Sequence, residues 1–324
     1  MKQINVKQFL IRNSAFATLL LLIAIGGIVT GTRGITFFSV NNFVNILFNN
    51  TIIGIIALGM TLVIISGGID LSVGAATAAS GLLAIWVMNM TNSIFLGIGA
   101  AIALGVVMGA FNGVLVARFG IPAFIVTLGA MQIFRSLSLH FFRGGGILVT
   151  SEVQGFLAFS NTRLFGTLPL PVLYWFALAI VVAIIAKRTA LGRHIYAVGS
   201  NERAANLSAV NVKRVKIYAF MLSGAIVAFA ALVEASRLGS MNSASSGTLY
   251  ELQAIAAVVI GGTAMSGGRG RVIGTVFGTL TLGVINNVMN LMGFPSFLVG
   301  AIQGAIVILA VLLQRSVSKK EKQY

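Results

Sequence analysis

Long uncharged apolar runs, separated by short polar segments, restrict what this chain can fold into. No charged residue occurs within residues 14–30, 51–66 or 94–117. A helix needs roughly 20 mostly apolar residues to cross the hydrocarbon core of a bilayer. Only 9% of the 324 residues are charged, whereas about a quarter are charged in soluble domains. The sequence therefore predicts a polytopic membrane protein with no room for a large soluble domain.

The runs predict an all-α fold of about ten transmembrane helices, forming one transmembrane domain over residues 1–324. Four prolines and many β-branched residues in long apolar runs favour helices over the alternating strands of a barrel. Residues 37–48, with apolar side chains on one side, are expected at the membrane interface. The predicted spans cover approximately residues 14–30, 51–66, 75–90, 94–117, 123–140, 171–186, 217–235, 251–264, 272–292 and 295–313.

The basic residues orient these spans. Residues 187–216 contain seven Lys or Arg residues and one acid, Glu202, and such loops stay on the cytoplasmic side. The ten-span arrangement puts 17 of the 22 basic residues inside, with both termini cytoplasmic and residues 141–170 as the longest external loop. Membrane topology and anionic lipid account for the net charge of +16, so we expect no nucleic-acid partner.

The sequence offers no catalytic or metal site. It has no cysteine, and its six acids and two histidines are scattered. No nucleophile motif, metal-ligand spacing or phosphate-binding Gly-Lys-Ser/Thr loop is present. We therefore expect no cofactor and no enzyme activity in this chain, and any ATP hydrolysis would belong to a separate subunit.

Several residues near the spans are candidates for contact with a solute. Asp70, with Ser72 after it, is expected mainly to cap the third span, and contact with a solute or proton is the alternative. Arg135 inside the fifth span either faces a wet cavity or reaches the interface. Phe124 and Phe297 could stack on a sugar, although aromatic residues in spans more often pack against neighbours.

A weak internal repeat suggests interrupted helices. Ser66-Gly67-Gly68 matches Ser266-Gly267-Gly268, and residues 120–126 match residues 293–299. Transporters often place functional parts at interrupted helices in corresponding halves. The two motifs begin 54 residues apart in the first copy and 27 in the second, so chance similarity in glycine-rich sequence stays open.

Residues 201–208 predict a short cytoplasmic helix. Asn201 suits the N-cap, Glu202 suits the helix dipole, and Ala204 and Ala205 favour helix. A helix this short is not stable alone. Two interpretations stay open from spacing: a docking element for a cytoplasmic protein, or an ordinary solvated connector.

Three motifs resemble the permease subunits of bacterial monosaccharide ABC importers of the ribose type. They are residues 57–74, which include Gly68-Ile69-Asp70-Leu71-Ser72-Val73-Gly74, residues 190–205, and residues 251–270. Related permeases for branched-chain amino acids lack the Gly-Ile-Asp-Leu-Ser-Val-Gly form. The resemblance covers nearly the whole chain. Two departures are Ala209, where the family usually has Gly, and Gln253, which is commonly Asp.

The resemblance implies a permease of the bacterial cytoplasmic membrane that imports a monosaccharide. Expected partners are an ABC ATPase inside, a sugar-binding protein outside, and a second permease, identical or paralogous. A neutral polyol would explain why the pathway needs no buried charge pair. The alternative is an ion-coupled secondary transporter of a small polar solute. By this resemblance residues 192–208 form the coupling helix, with Gly192, Arg193, Tyr196, Gly199, Asn201, Glu202, Ala204 and Ala205 as its key positions.

Overall fold

The computed structural model describes residues 14–295, together with 298, 300–302, 304, 305 and 308. Helices account for most of this part, and long ones follow one another through short connections. The main helices are α1 (Ser14–Gly31), α2 (Val40–Asn49), α3 (Thr51–Ile65), α4 (Val73–Thr91), α5 (Ile94–Phe119), α6 (Ala123–Phe141), α7 (Ala158–Asn161), α8 (Leu170–Arg188), α9 (Ala190–Ser200), α10 (Glu202–Leu207), α11 (Val212–Leu238), α12 (Tyr250–Ile260) and α13 (Val272–Leu291).

Four short strands are the exceptions to the predicted all-α fold. β1 (Gly146–Leu148) pairs antiparallel with β4 (Ser240–Asn242), with Ile147 opposite Met241. β2 (Arg163–Leu164) pairs with β3 (Leu168–Pro169). A 3-10 helix (Ser151–Leu157) lies between β1 and α7. The predicted loop 141–170 is therefore an ordered cap, joined to the segment after α11.

The described part confirms a polytopic helical membrane protein. Six helices are long and apolar enough to cross a membrane, and the pair α2 and α3, bent by 47°, raises the number to seven. Most predicted boundaries agree with these helices within a few residues. The seventh was placed too late, because α11 begins at Val212 and includes the basic residues 213–216. The predicted tenth span, Phe297 and the basic termini lie wholly or largely outside the described residues.

Helix α3 lies at the centre of the protein. All fifteen of its residues are buried, and a helix that is apolar on every side belongs in a core. Trp175 of α8 packs over Gly54 and is completely buried. On the side facing α13, the hydroxyls of Thr61 and Thr275 lie 2.7 Å apart in a hydrogen bond. Polar and apolar contacts therefore hold α3 against its neighbours.

Small residues let α5 and α11 approach closely. Gly105 of α5 lies against the backbone of Gly224, while Gly109 and Gly113 lie against Phe220 and Ile217. Glycine and alanine interfaces replace the hydrophobic driving force that is missing between helices in lipid. The two helices are thereby joined along much of their length.

The segment around α12 is an interrupted span, as predicted. α12 has eleven residues, which gives a length of about 16 Å, too short for the hydrocarbon core of roughly 30 Å. Before it, Gly247 contacts the backbone of Gly74 at the start of α4. After it, residues 261–271 form an irregular connection to α13. This arrangement resembles the discontinuous helices of many transporters.

Candidate coupling site

Helices α9 and α10 form a cytoplasmic elbow between the long helices α8 and α11. The hydroxyl of Thr189 accepts a hydrogen bond from the Gly192 amide at the start of α9. Asn201 Oδ1 accepts one from the Ala204 amide at 2.9 Å, which confirms the predicted N-cap of α10. Side-chain caps satisfy amide donors that have no partner inside a short helix. The elbow therefore has a fixed shape although each helix is short.

Three glycine segments that are distant in sequence meet where α9 ends. The amide of Gly268 donates to the carbonyl of Ile65 at 2.9 Å. A Cβ added to Gly199 would overlap that same carbonyl and would lie 2.7 Å from the Gly268 nitrogen. A Cβ added to Gly267 would lie 2.9 Å from the Gly199 oxygen and 3.0 Å from Gly67. We call this contact of residues 65–67, 199–200 and 267–268 the glycine junction.

Only glycine fits the central positions of the glycine junction. Gly67, Gly267 and Gly268 have φ values of +88°, +83° and +71°, which side chains rarely tolerate. Gly199 is required for a different reason, because its Cα lies directly against backbone atoms. The two repeated Ser-Gly-Gly motifs are thus brought together, and the end of α9 lies between them.

Tyr196 adds a side-chain bond to the glycine junction. Its hydroxyl donates to the carbonyl of Gly270 at 2.9 Å. Burial raises the pKa of Tyr196 above its ordinary value, while the charge of Arg271 acts in the opposite direction. The phenol therefore stays protonated at neutral pH and keeps its donor. A shift of α9 would consequently pull on residues 267–271 through both backbone and side chain.

The opposite surface of the elbow is exposed. Arg193, Asn201, Glu202 and Ala204 face outward, whereas Gly192 and Ala205 are buried. Leu207, at the end of α10, has 85% of its surface exposed. Beside the elbow, an open groove of about 590 Å³ is lined by residues of α9 and of the start of α11. A charged surface with one exposed leucine and an adjoining groove can receive a partner protein.

An ion pair connects the elbow to α11. Lys216 Nζ lies 2.6 Å from Glu202 Oε2. The pair borders a cavity of about 450 Å³ that also contacts Ser66, Gly67, Gly68 and Phe124. Exposed pairs contribute little to stability, and the Glu202 side chain is 59% exposed. Its structural consequence is to place α10 against α11 rather than to hold the fold together.

Asp70 lies in a buried hydrogen-bond network after the first Ser-Gly-Gly motif. Its Oδ1 accepts from the Ser72 amide at 2.9 Å and from the Ser72 hydroxyl at 2.6 Å. The Asn112 amide donates to the Ser72 hydroxyl at 2.8 Å, and the Thr127 hydroxyl donates to the Ile69 carbonyl. Asp70 is only 3% exposed. This geometry is that of the predicted cap, with the carboxylate turned into the protein.

Arg135 anchors an outer loop. Its Nη1 donates to the carbonyls of Ser243 and Ser246, each at 2.9 Å. The guanidinium therefore does not reach freely for the interface, as one of the two predicted alternatives would require. Phe124, at the opposite end of α6, is 53% exposed. Asp70, Arg135 and Phe124 do not form one cluster around a ligand.

The outer end of α11 carries a second polar network. The Tyr250 hydroxyl donates to Glu234 Oε1 at 3.0 Å. Arg237 lies over the Phe48 ring at 4.0 Å and donates to Asn49 Oδ1 at 2.7 Å. α11 is thereby tied to α12 and to the end of α2. Because the partners lie 16 and 188 residues away in sequence, their meeting could not be read from spacing.

Sequence reasoning missed Leu207 and Lys216 as parts of the elbow. Leu207 follows the alanine pair of α10 as an ordinary helix former, and Lys216 belongs to a basic run explained by topology alone. One available signal was the mismatch between an apolar side chain and a charged cytoplasmic segment. The contacts of Gly199 gave no signal in sequence, since they depend on how α3, α9 and residues 261–271 pack.

Comparison with known proteins decides the family. Residues 42–311 match the family described as branched-chain amino acid transport system / permease component. This chain belongs to that permease family. It is 38% identical over 309 residues to the ribose import permease protein RbsC of Escherichia coli K12, covering 95% of this chain and 94% of that protein.

Two further relatives extend the comparison. The Bacillus subtilis RbsC protein is 39% identical over 285 residues, which cover 86% of this chain and 85% of that protein. The xylose transport system permease protein XylH of Escherichia coli K12 is 34% identical over 364 aligned positions, covering 94% and 92%. No solved structure matches the chain. The family assignment therefore rests on sequence similarity over nearly the full length.

Proposed function

We propose that this chain is the membrane-spanning permease subunit of an ATP-driven importer that carries a monosaccharide into the cytoplasm. The substrate class is a ribose-like pentose, a hexose or a related polyol. Support comes from the full-length similarity to proteins named as ribose and xylose permeases. The glycine junction is the structural observation that carries the proposal, because it joins the cytoplasmic elbow to both interrupted helices.

In this proposal the elbow is where the ATPase acts. Arg193, Glu202 and Ala204 face the cytoplasmic partner, and Leu207 inserts into it. Gly192 and Ala205 are buried against the permease and keep the elbow in place. Movement of the elbow passes through Gly199 and Tyr196 to residues 65–68 and 267–271. The helix breaks then change position without unfolding.

The proposed assembly contains an ABC ATPase and a substrate-binding protein, which the importer family implies. We further propose two permease copies, identical or paralogous, each with ten spans and both termini inside the cytoplasmic membrane. Nine of the ten predicted spans coincide with helices of the described part. ATP is bound by the partner, and the permease itself is not an enzyme.

Reconstitution tests the proposal. The permease, its ATPase and its binding protein are placed in liposomes, and uptake of radiolabelled ribose, xylose and glucose is measured. We expect uptake of at least one sugar that requires both ATP and the binding protein. Vesicles with an ATPase variant unable to hydrolyse ATP serve as the control. Sugar uptake driven by a proton or sodium gradient without ATP would overturn the proposal in favour of a secondary transporter.

A further inference from the structure

One face of α6 is polar in the middle of the helix, although α6 is exposed there. Ile125, Gly129, Gln132, Ser136 and His140 are all exposed, and at 3.6 residues per turn they fall within roughly 80° of the helix circumference. Gln132 is the tenth of the nineteen residues of α6, so it lies near mid-span. In the part of the chain that the structure describes, neither the Gln132 amide nor the Ser136 hydroxyl has a hydrogen-bond partner.

Lipid is a poor environment for this face. Polar groups without a hydrogen-bond partner cost several kcal/mol each in hydrocarbon. α8 has the same length but exposes Phe176, Ile180, Val181 and Ile184 along its membrane part, which is the expected pattern of a lipid-facing helix. The contrast between two helices of equal length shows that α6 presents its exposed side to something other than lipid.

The loop beside α6 supports the same conclusion. Arg135, one turn beyond Gln132, holds the carbonyls of Ser243 and Ser246. Ser245 and Thr248 of this loop are exposed. Irregular backbone at membrane depth is tolerated only where it is buried in protein or lines a water-filled cavity. An exposed loop next to an exposed polar helix face fits the wall of an aqueous passage.

We propose that the Gln132 and Ser136 face of α6 and the 243–249 loop line a water-filled sugar pathway, enclosed by the same face of a second permease copy. The proposal rests on the proposed importer function and names the residues that would contact its substrate. Gln132 and Ser136 offer neutral donors and acceptors, which suit the hydroxyls of an uncharged sugar. In a two-fold dimer the same patch is used on both copies.

The absence of cysteine from the sequence allows a direct test in the complete importer. Single variants Gln132→Cys, Ser136→Cys and Ser245→Cys are treated in membranes with a charged thiol reagent that does not cross lipid. Ile180→Cys, 62% exposed on α8, is the matched control. The thiolate is the reactive form and needs water, so we expect the first three to react at least about tenfold faster. Labelling equal to that of Ile180→Cys overturns the proposal.

Two further measurements complete the test. A bifunctional thiol cross-linker is expected to join two copies through Ser136→Cys, and rapid labelling without any such dimer would overturn the part that places a second copy opposite. Gln132→Leu should lower sugar uptake several-fold while membrane insertion and ATPase docking stay unchanged. Uptake equal to wild type would contradict sugar contact. Labelling does not require transport, so failure of the importer function would be seen separately in the wild-type uptake assay.

Discussion

Replacing Gly199 with alanine should uncouple the elbow from the helix breaks. The new methyl group would overlap the carbonyl of Ile65 and lie 2.7 Å from the Gly268 nitrogen. Both obstacles are backbone atoms, so no side chain can rotate away. To reach a normal C···O separation of about 3.3 Å, the end of α9 has to move by on the order of 1 Å. That movement breaks the contact on which the proposed coupling depends.

The size of the effect follows from two contributions. Overpacking at a close contact costs about 1–3 kcal/mol, and loss of the hydrogen bond from Gly268 to Ile65 costs about 1 kcal/mol more. We expect Gly199→Ala to destabilise the permease by about 2–4 kcal/mol. Tyr196→Phe removes only the bond to Gly270 and should cost about 1 kcal/mol.

The assay compares stability and coupling in the same preparations. Thermal unfolding is measured in detergent, and ATP hydrolysis stimulated by the binding protein is measured in liposomes. Gly99→Ala is the matched control, because a Cβ at Gly99 in α5 meets no atom within 4 Å. We expect coupled hydrolysis and uptake to fall strongly in Gly199→Ala, to fall slightly in Tyr196→Phe, and to be unchanged in Gly99→Ala. Wild-type coupling in Gly199→Ala would refute the role of the glycine junction.

Three other substitutions test single features. Ala209 has a φ of +61°, so Ala209→Gly should remove a left-handed strain and stabilise the permease by up to about 1 kcal/mol; a lower unfolding temperature would contradict this. Asp70→Ala should cost about 1–3 kcal/mol and Asp70→Asn much less, because an amide oxygen still accepts from Ser72, whereas equal loss of uptake in both would favour direct contact with solute or proton. Arg135→Met should speed amide hydrogen exchange in residues 243–249 by tenfold or more, as expected from losing at least about 1.4 kcal/mol of local stability, and unchanged exchange would exclude the anchoring role.

The spans could be predicted well because apolar length alone determines them. The boundaries of α1, α3, α5 and α13 agree with the apolar runs. α11 was the exception, since residues 212–216 are polar but helical. Charge marks where a chain leaves the membrane, whereas a helix continues until its caps or its geometry end it. The Asn211 side chain supplies that cap by accepting from the Arg214 amide.

The candidate sites were only partly predictable. The cap by Asn201 and the turn at Asp70 are local, so residue type and spacing were sufficient. The pairing of β1 with β4 and the meeting of Gly67, Gly199 and Gly267 depend on packing across the whole chain. Gln132 and Ser136 share a helical face that spacing could have shown. Their exposure, which gives that face its meaning, could be known only from the structure.

The glycine-lined contact between α5 and α11 has a mechanical consequence. Without side chains between them, the two helices cannot slide or bend independently, so they behave as a single lever. One end of α11 meets Glu202 through Lys216, and the other end carries Glu234 and Arg237. Its 27 residues span about 40 Å. A small push applied at the cytoplasmic end therefore reaches the outer network as a tilt of the whole lever.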